Sequence, residues 1–431
     1  MAEIKPFCAM RFNTEKAGDI GTLVCPPYDI ISDKQREEYI KANPNNVIRL
    51  ELPKGENPYE TASETLTKWE SEGILALDDK PAIYIYEEEF SAYGETKKIK
   101  GIICRVKIEE FEKGVVLPHE FTLSKAKEDR FNLMKATDCN FSQIYSLYMD
   151  DENNTAKRVD TLSNGTPNIE LTDESGVTHR LWIITDTDEL TAICSDFAKR
   201  KLYIADGHHR YETALNFRNH LRAEGKAKEG DGADYVMMML VDMQNDGLVV
   251  FPTHRIVRDL ESFDCNQLCE KSAKYFDITD CDNITSAEDI LRKYYDEGKK
   301  AFALYCGGES YKLFVLKDIS TMDAKLPDLS SASRQLDVAV LHTLVLEEVL
   351  GIDKENMAKQ INLTYTKSFD EAIEKVKSKE AQCSFILNPT RVTEIRDVAA
   401  ADEKMPQKST YFYPKLITGL VMNKLTDKRG L

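Results

Sequence analysis

The stretch Leu202-Tyr203-Ile204-Ala205-Asp206-Gly207-His208-His209-Arg210-Tyr211-Glu212-Thr213-Ala214-Leu215 decides how the rest of the chain is read. Its first four residues are apolar and β-prone, and predict a short strand. Asp206 to Arg210 read as a polar turn. From Tyr211 onward, Tyr211, Ala214, Leu215 and Leu221 recur at helical spacing and predict a helix over 211–224. A strand that turns through glycine into a helix presents the helix N-terminus, whose free N–H groups and positive dipole end suit an anion. Gly207 permits the tight turn and the close approach of a ligand. Arg210 supplies a bidentate phosphate donor. His208 and His209 can donate hydrogen bonds or exchange protons. Asp206 can hold Mg2+ or orient a histidine. Two other readings stay open on the same residues. One is a solvent-facing polar cap. The other is a zinc or iron site, with His208 and Glu212 four residues apart and His254 or His119 as a further ligand. HHRYE is not the HExxH of a zincin.

Outward from this segment the chain alternates strand and helix signals. Tyr235–Val241 is a continuous apolar run, as in a strand buried on both faces. Ala82–Phe90 and Lys98–Ile108 flank a glycine turn and predict a hairpin. Gln143–Met149, Arg180–Thr185 and Leu248–Pro252 read as further strands. Gly21–Cys25 reads as one more, ahead of a stiff loop at Pro26-Pro27. Ser32 and Gln35 form a capping box for a helix over Asp33–Lys41. Tyr59–Gly73 predicts a helix closed by glycine. Thr122–Thr137 reads as a loop leading into a helix, with Phe131 and Met134 on one face. In the second half, Asn266–Tyr275, Ser286–Asp296, Val338–Leu350, Phe369–Lys379 and Thr393–Ala401 read as helices. Ala301–Cys306 with Lys312–Leu316 reads as a hairpin. The fold class is therefore mixed α/β (α+β), expected as two lobes facing across a cleft. The expected domains are 1–260, carrying the DGHHR segment, and 261–431.

The 431 residues contain 57 Lys and Arg against 74 Asp and Glu, a net charge of −17. Such a surface repels a phosphate backbone at long range, so no nucleic-acid partner is expected. One nucleotide held by backbone amides and a few cations remains compatible with that charge. No apolar run approaches the ~20 residues that span a bilayer. MAEIKPFCAM has no apolar signal region, so a cytoplasmic protein is expected. The ten cysteines form no CxxC. Cys265 and Cys269 are the closest pair, and no second close pair completes a zinc site. Reduced thiols are the simplest reading.

Three more segments carry chemistry-bearing residues. His119-Glu120 follows a strand signal and precedes Lys125, Lys127, Arg130 and Lys135. Glu120 could act as a general base on a hydroxyl, or be a surface acid at a strand end. Lys127 and Arg130 are candidate phosphate contacts, or part of a solvated helix face interleaved with Glu128 and Asp129. Cys25-Pro26-Pro27-Tyr28-Asp29 is a rigid edge in which Cys25 reads as a small buried hydrophobe. His254-Arg255 ends a strand, as the DGHHR segment does.

Together these segments resemble the DUF1015 family over nearly the whole chain. The matching pieces are PFCAMRF at 6–12, CPPYDIIS at 25–32, NPNNVIRLELP at 43–53, VVLPHEFTLSKAKEDRFNLMKAT at 115–137, LYIADGHHRYETAL at 202–215, FPTHRIV at 251–257 and MPQKSTYFYPKLITGLV at 405–421. More distantly, DGHHR is similar to the signature of the ParB/sulfiredoxin-like superfamily, in which free-serine kinases carry a DGHHR- or DGHTR-type segment. The resemblance implies Gly207, His208, His209 and Arg210 at nucleotide phosphates and Asp206 near Mg2+ or the phosphoryl group. It also implies a glutamate base on the acceptor hydroxyl; no motif assigns that residue here, and Glu120 is taken as the candidate. Sulfiredoxin chemistry would need a cysteine where this chain has His208. The expected function is thus a nucleotide-dependent small-molecule kinase or phosphotransferase, with Glu120, His208 and His209 catalytic. ADP or ATP would be the co-substrate and a hydroxyl-bearing metabolite the acceptor. A homodimer is compatible with the sequence. The alternatives are a nucleotide or phosphoester hydrolase, in which water replaces the acceptor, and a non-enzymatic nucleotide-binding regulator.

Overall fold

The structure, a computed structural model, describes residues 1–120, 122 and 124–430. The chain divides into two compact units, both mixed α/β. The first comprises Met1–Pro118, Thr122–Val249 and Pro414–Leu431, and the second His119–Phe121 and Val250–Tyr413. Two contiguous segments, 1–260 and 261–431, were expected. The division differs because from Pro414 the chain returns to the first unit, where Asn423–Lys424 pair antiparallel with Cys139–Asn140.

The first unit is built on a nine-stranded sheet. Its strands are β1 (Ile4–Lys5), β2 (Ile83–Ala92), β3 (Glu95–Lys107), β4 (Val116–Leu117), β5 (Ile144–Tyr148), β6 (Ile169–Thr172), β7 (Thr178–Ile184), β8 (Leu202–Asp206) and β9 (Tyr235–Asp242). They lie in the order β4-β8-β5-β9-β3-β2-β7-β6, with β1 pairing β3. The apolar run of β9 sits at the middle of this order and all eight of its residues are buried. Val236, Met238 and Leu240 join one core cluster, and the alternate residues point to the opposite face. The β2–β3 hairpin closes on Tyr93 and Gly94, both at positive φ (53° and 78°). That is the two-residue turn whose twist suits a hairpin.

Gly101 of β3 marks a close approach. A Cβ there would lie 2.5 Å from the Leu240 carbonyl oxygen and 2.7 Å from a Val241 methyl. Because backbone cannot swing aside, Gly101→Ala is expected to destabilise the protein by about 1–3 kcal/mol, read as a lower urea midpoint.

The first unit's helices follow local signals. The helix α1 (Asp33–Ala42) starts at the Ser32–Gln35 capping box. The helix α2 (Pro58–Glu72) ends at Gly73, which is left-handed. Then come α3 (Ser124–Thr137) and α4 (His208–Ala223). The strand expected at Gly21–Cys25 is absent. Ile20–Thr22 form a 3-10 turn, and Cys25 meets Thr418 in a single bridge. Pro26 and Pro27 have no N–H with which to extend a ladder.

A buried arginine ties the C-terminal segment in. Arg105 of β3 is fully buried. Its Nε donates to Asn423 Oδ1 (2.9 Å), and its Nη atoms donate to the carbonyls of Lys424, Asp427 and Arg429.

The second unit holds a six-stranded antiparallel sheet of β10 (His254–Val257), β11 (Phe276–Cys281), β12 (Ala301–Tyr305), β13 (Tyr311–Leu316), β14 (Leu363–Thr366) and β15 (Cys383–Ile386). The order is β11-β13-β12-β15-β10-β14. One face carries Ile256, Ala303, Leu313 and Ile386. The other stacks Phe276, Phe302, Phe314 and Phe385. A helix, α5 (Cys265–Ser272), precedes β11. The single helix expected at Val338–Leu350 is instead a short α-turn, Asp337–Leu341, continued by a π-helix at His342–Glu347. The wider turn falls where His342 Nε2 accepts from the buried Arg255. Burial and the Arg255 charge hold His342 well below the usual range, so it stays a neutral acceptor. Among the described residues no helix is long and apolar enough to cross a membrane.

Candidate functional site

The polar turn is tighter than the sequence predicts. Strand β8 runs through Asp206, and α4 begins at His208, so Gly207 alone reverses the chain, at φ 96° and ψ 27°. A register shift in the β8–β5 pairing falls between Ile204 and Asp206. Such a bulge re-aims the side chain that follows it. The N-cap of α4 is Gly207, which has no side chain to cap the helix. Gly207 also lies under the Arg210 guanidinium, since a Cβ there would come within 2.9 Å of Arg210 Nη2.

Asp206 is held between two cations. Arg210 Nη2 donates to its Oδ2 (2.8 Å), and Lys415 pairs with its Oδ1. Burial alone would raise the Asp206 pKa. The charges of Lys415 and Arg210 outweigh it, with a smaller contribution from His208, and hold the carboxyl well below the usual range. The sign follows from linkage: a depressed native pKa lends stability that is complete above the unfolded value of about 3.9 and is lost as pH falls through the native one. The stability gap between the protein and Asp206→Asn is therefore expected to be constant near neutrality and to shrink below about pH 4 in acid-titrated urea melts.

This geometry bears on Mg2+. Both Asp206 oxygens are engaged by cations, and a dication would have to displace them. The residues present do not fit Mg2+ at Asp206. The zinc or iron reading fares no better. Glu212 accepts from Lys127 Nζ (2.7 Å) and Thr122 Oγ1 (2.8 Å), while His254 Nδ1 accepts the Leu387 N–H. Among the described residues no three His, Cys, Asp or Glu side chains converge as a ligand set.

Arg210 also donates to the Gln143 carbonyl at 2.6 Å. Beneath it, Arg210 and Arg130 line one cavity of about 40 Å³ with Glu51, Ser142 and Thr213, a volume suited to water rather than a nucleotide. Arg130 donates to Asp129 (2.6 Å) and to the Glu51 carbonyl (2.7 Å), and its guanidinium lies 4.1 Å over the Tyr28 ring. Burial raises the Glu51 carboxyl above its usual range, although Arg130 and a hydrogen bond from Ser142 pull it down. The structure thus brings together Asp206, Gly207, Arg210 and Arg130. Lys127 lies instead on Glu212. His208 is buried and His209 half-buried.

Glu120 belongs to the second unit. Its Oε1 accepts the Lys408 N–H at 3.0 Å, and Glu120 bridges to Met405 in parallel register. Buried His119 accepts the Met405 N–H on its carbonyl (2.7 Å), and its Nε2 contacts Thr410 Oγ1 at 3.0 Å. The segment from Met405 to Thr410 is therefore anchored to the His119-Glu120 pair. Lys415 and Glu51 were not singled out from the sequence. Both lie in segments quoted above, MPQKSTYFYPK and NPNNVIRLELP, but neither has a local pattern that points to Asp206 or Arg130.

Comparison with known proteins places the chain in a family. The profile described as "Protein of unknown function (DUF1015)" matches residues 4–339, and the chain belongs to that family. No curated protein matches it. Among solved structures it is similar to a conserved hypothetical protein from Pyrococcus furiosus, at 16% identity and TM-score 0.37, covering 75% of this chain and 95% of that one. It is similar at the same TM-score to a free serine kinase in complex with AMP, at 15% identity, covering 73% of this chain and 88% of that one. A mutant of that kinase in complex with ADP matches with the same identity and coverage.

Proposed function

We propose that the N-terminus of α4 is a nucleotide phosphate site and that the protein is a nucleotide-dependent small-molecule kinase or phosphotransferase. One observation carries the reading. A 16-residue helix starts at a left-handed glycine, with Lys415 and Arg210 set against the single carboxylate of Asp206. Two cations against one anion leave a local excess of one positive charge beside the dipole end, in a chain whose net charge is strongly negative. A phosphate is the ligand class that such a site attracts. Phosphoryl transfer needs little more of a protein than positioning and charge neutralisation. In this reading Gly207, His208 and His209 offer backbone N–H groups, and Arg210 neutralises charge. Glu120 takes the proton of the acceptor hydroxyl on a small metabolite. The DGHHR segment, similar to that of free-serine kinases, supports the assignment of the phosphate contacts.

Calorimetric titration with ADP, ATP and CTP, each with and without Mg2+, tests it. Saturable binding of at least one nucleotide is expected, followed by nucleotide consumption that depends on a hydroxyl-bearing acceptor. Absence of binding by all three nucleotides overturns the reading. Binding with consumption that needs no acceptor makes the protein a hydrolase.

A further inference from the structure

Arg255, the second residue of β10, is a fully buried cation whose hydrogen-bond acceptors among the described residues are all neutral. Its Nε donates to His342 Nε2 (3.2 Å), the residue that opens the π-helix. Its Nη1 donates to the Thr253 carbonyl. Its Nη2 donates to the carbonyls of Lys408 (3.1 Å) and Gln407 (3.4 Å). Burial pulls the guanidinium down to about 10, with Tyr365 and the Glu120 charge opposing, so it stays cationic at neutral pH. A tie between two segments needs no charge, and burying an unpaired one is costly. The chain nevertheless holds a cation here, against a stretch of π-helix, a distortion frequent at functional sites.

What the cation faces is one peptide group away. The Gln407 carbonyl and the Lys408 N–H belong to the same peptide. The carbonyl accepts from Arg255, and the N–H donates to Glu120 Oε1 at 3.0 Å. In a trans peptide these two groups point in opposite directions. The peptide therefore lies between guanidinium and carboxylate with its dipole aligned to both, oxygen toward the cation and N–H toward the anion. Hydrogen bonds in series of this kind polarise and strengthen one another. Lys408 itself sits at φ 56°, a left-handed conformation that a residue with a side chain keeps only where its surroundings over-determine it. They do so here. Besides the bonds from Arg255 and to Glu120, Thr390 Oγ1 donates to the Ser409 carbonyl (2.8 Å), and Ser409 Oγ donates to the Pro406 carbonyl. Arg255, Glu120 and the segment between them all belong to the second unit.

We propose that Arg255 is a positioning residue for Glu120 and acts through the 407–408 peptide. The inference rests on the reading of Glu120 as the base that takes the acceptor proton. Such a base must lie within about 2.6–3.2 Å of the hydroxyl, and a small misplacement lowers turnover steeply. Arg255 fixes the orientation of the peptide, and the peptide N–H fixes Oε1 of the carboxylate. Arg255 itself touches neither substrate nor nucleotide in this assignment. Its loss leaves the carboxylate in the chain but lets its anchor turn, so turnover falls while nucleotide affinity stays.

The test pairs amide hydrogen exchange with kinetics on the full chain. In Arg255→Met the 405–410 peptide is expected to exchange about tenfold faster or more, with peptides of the first unit unchanged. Glu120→Ala is expected to raise the same exchange, and to add little to it in the double variant. In Arg255→Met kcat for acceptor-dependent nucleotide consumption is expected to fall by about 10- to 100-fold at an unchanged nucleotide Kd. In the Glu120→Gln background the same substitution is expected to lower kcat no further, because its effect passes through the carboxylate. Arg255→Lys keeps the charge and reaches one carbonyl. It is expected to show each effect in smaller measure, and it carries the test if the methionine variant does not fold. Unchanged exchange of 405–410 overturns the proposal, whether or not turnover is found. So does an equal loss of kcat in the wild-type and Glu120→Gln backgrounds, the mark of a merely structural tie. Faster, non-additive exchange in a chain whose turnover Glu120→Gln leaves intact supports the positioning of Glu120 and overturns only its reading as the base.

Discussion

Arg210→Ala is expected to weaken nucleotide binding by about 10- to 150-fold, equivalent to about 1.5–3 kcal/mol for a hydrogen-bonded charged contact. The size of the effect follows from the position of the guanidinium. It lies over Gly207 at the start of α4 and is held there by the Gln143 carbonyl and Asp206. A phosphate arriving at the helix N-terminus meets a donor that is already oriented, so little side-chain entropy is lost on binding. The truncation also leaves the Gln143 carbonyl and one Asp206 oxygen without their donor, so part of the loss could come from local unfolding. Arg210→Lys separates the two causes. It keeps the charge and loses the fork, and is expected to bind with intermediate affinity at an unchanged melting temperature. Full nucleotide affinity in folded Arg210→Ala would falsify the phosphate assignment.

Glu120→Gln is expected to lower kcat by about 10²- to 10⁴-fold while leaving the nucleotide Kd unchanged, the signature of a lost general base. Glutamine is the right substitution because Glu120 Oε1 accepts the Lys408 N–H. An amide oxygen can accept the same bond, so the 405–410 segment keeps its anchor and only the proton acceptor is lost. The measurement is nucleotide consumption against a panel of hydroxyl-bearing metabolites, paired with calorimetry on the same preparation. Unchanged kcat in Glu120→Gln removes Glu120 from the chemistry and leaves the nucleotide site standing.

The elements legible in the sequence are those whose signals are local. Ser32 and Gln35 cap α1, Gly73 closes α2, Tyr93-Gly94 turns a hairpin, and the apolar run at 235–241 is a strand buried on both faces. The misread pieces lack a local signal. Gly21–Cys25 has strand composition but meets only one bridging partner, nearly four hundred residues away in the chain. The π-helix at His342 answers to a buried arginine on another element. At the site the same division holds. The strand–glycine–helix turn at DGHHR could be read, because strand, glycine and helix start are contiguous. The Lys415 partner of Asp206 and the Glu51 neighbour of Arg130 could not, since each is brought in by long-range packing. Cys306 and Cys383 are likewise far apart in sequence, and the strand register alone makes them neighbours.

The tail that satisfies Arg105 gives the chain an order of assembly. Strands β3 and β9 emerge early in synthesis, but Asn423 and the carbonyls of 424–429 that accept from the buried guanidinium come more than three hundred residues after Arg105. At a ribosomal rate of about 5–20 residues per second, that arginine waits on the order of ten seconds or more for its partners. The whole of the second unit is made in the interval. Until then the first unit carries a buried charge without acceptors, a state costing several kcal/mol. A chain ended after Met422 is therefore expected to be released unfolded or aggregated even though every strand of the large sheet is present, and Arg105→Met in that truncated chain is expected to restore part of its soluble yield.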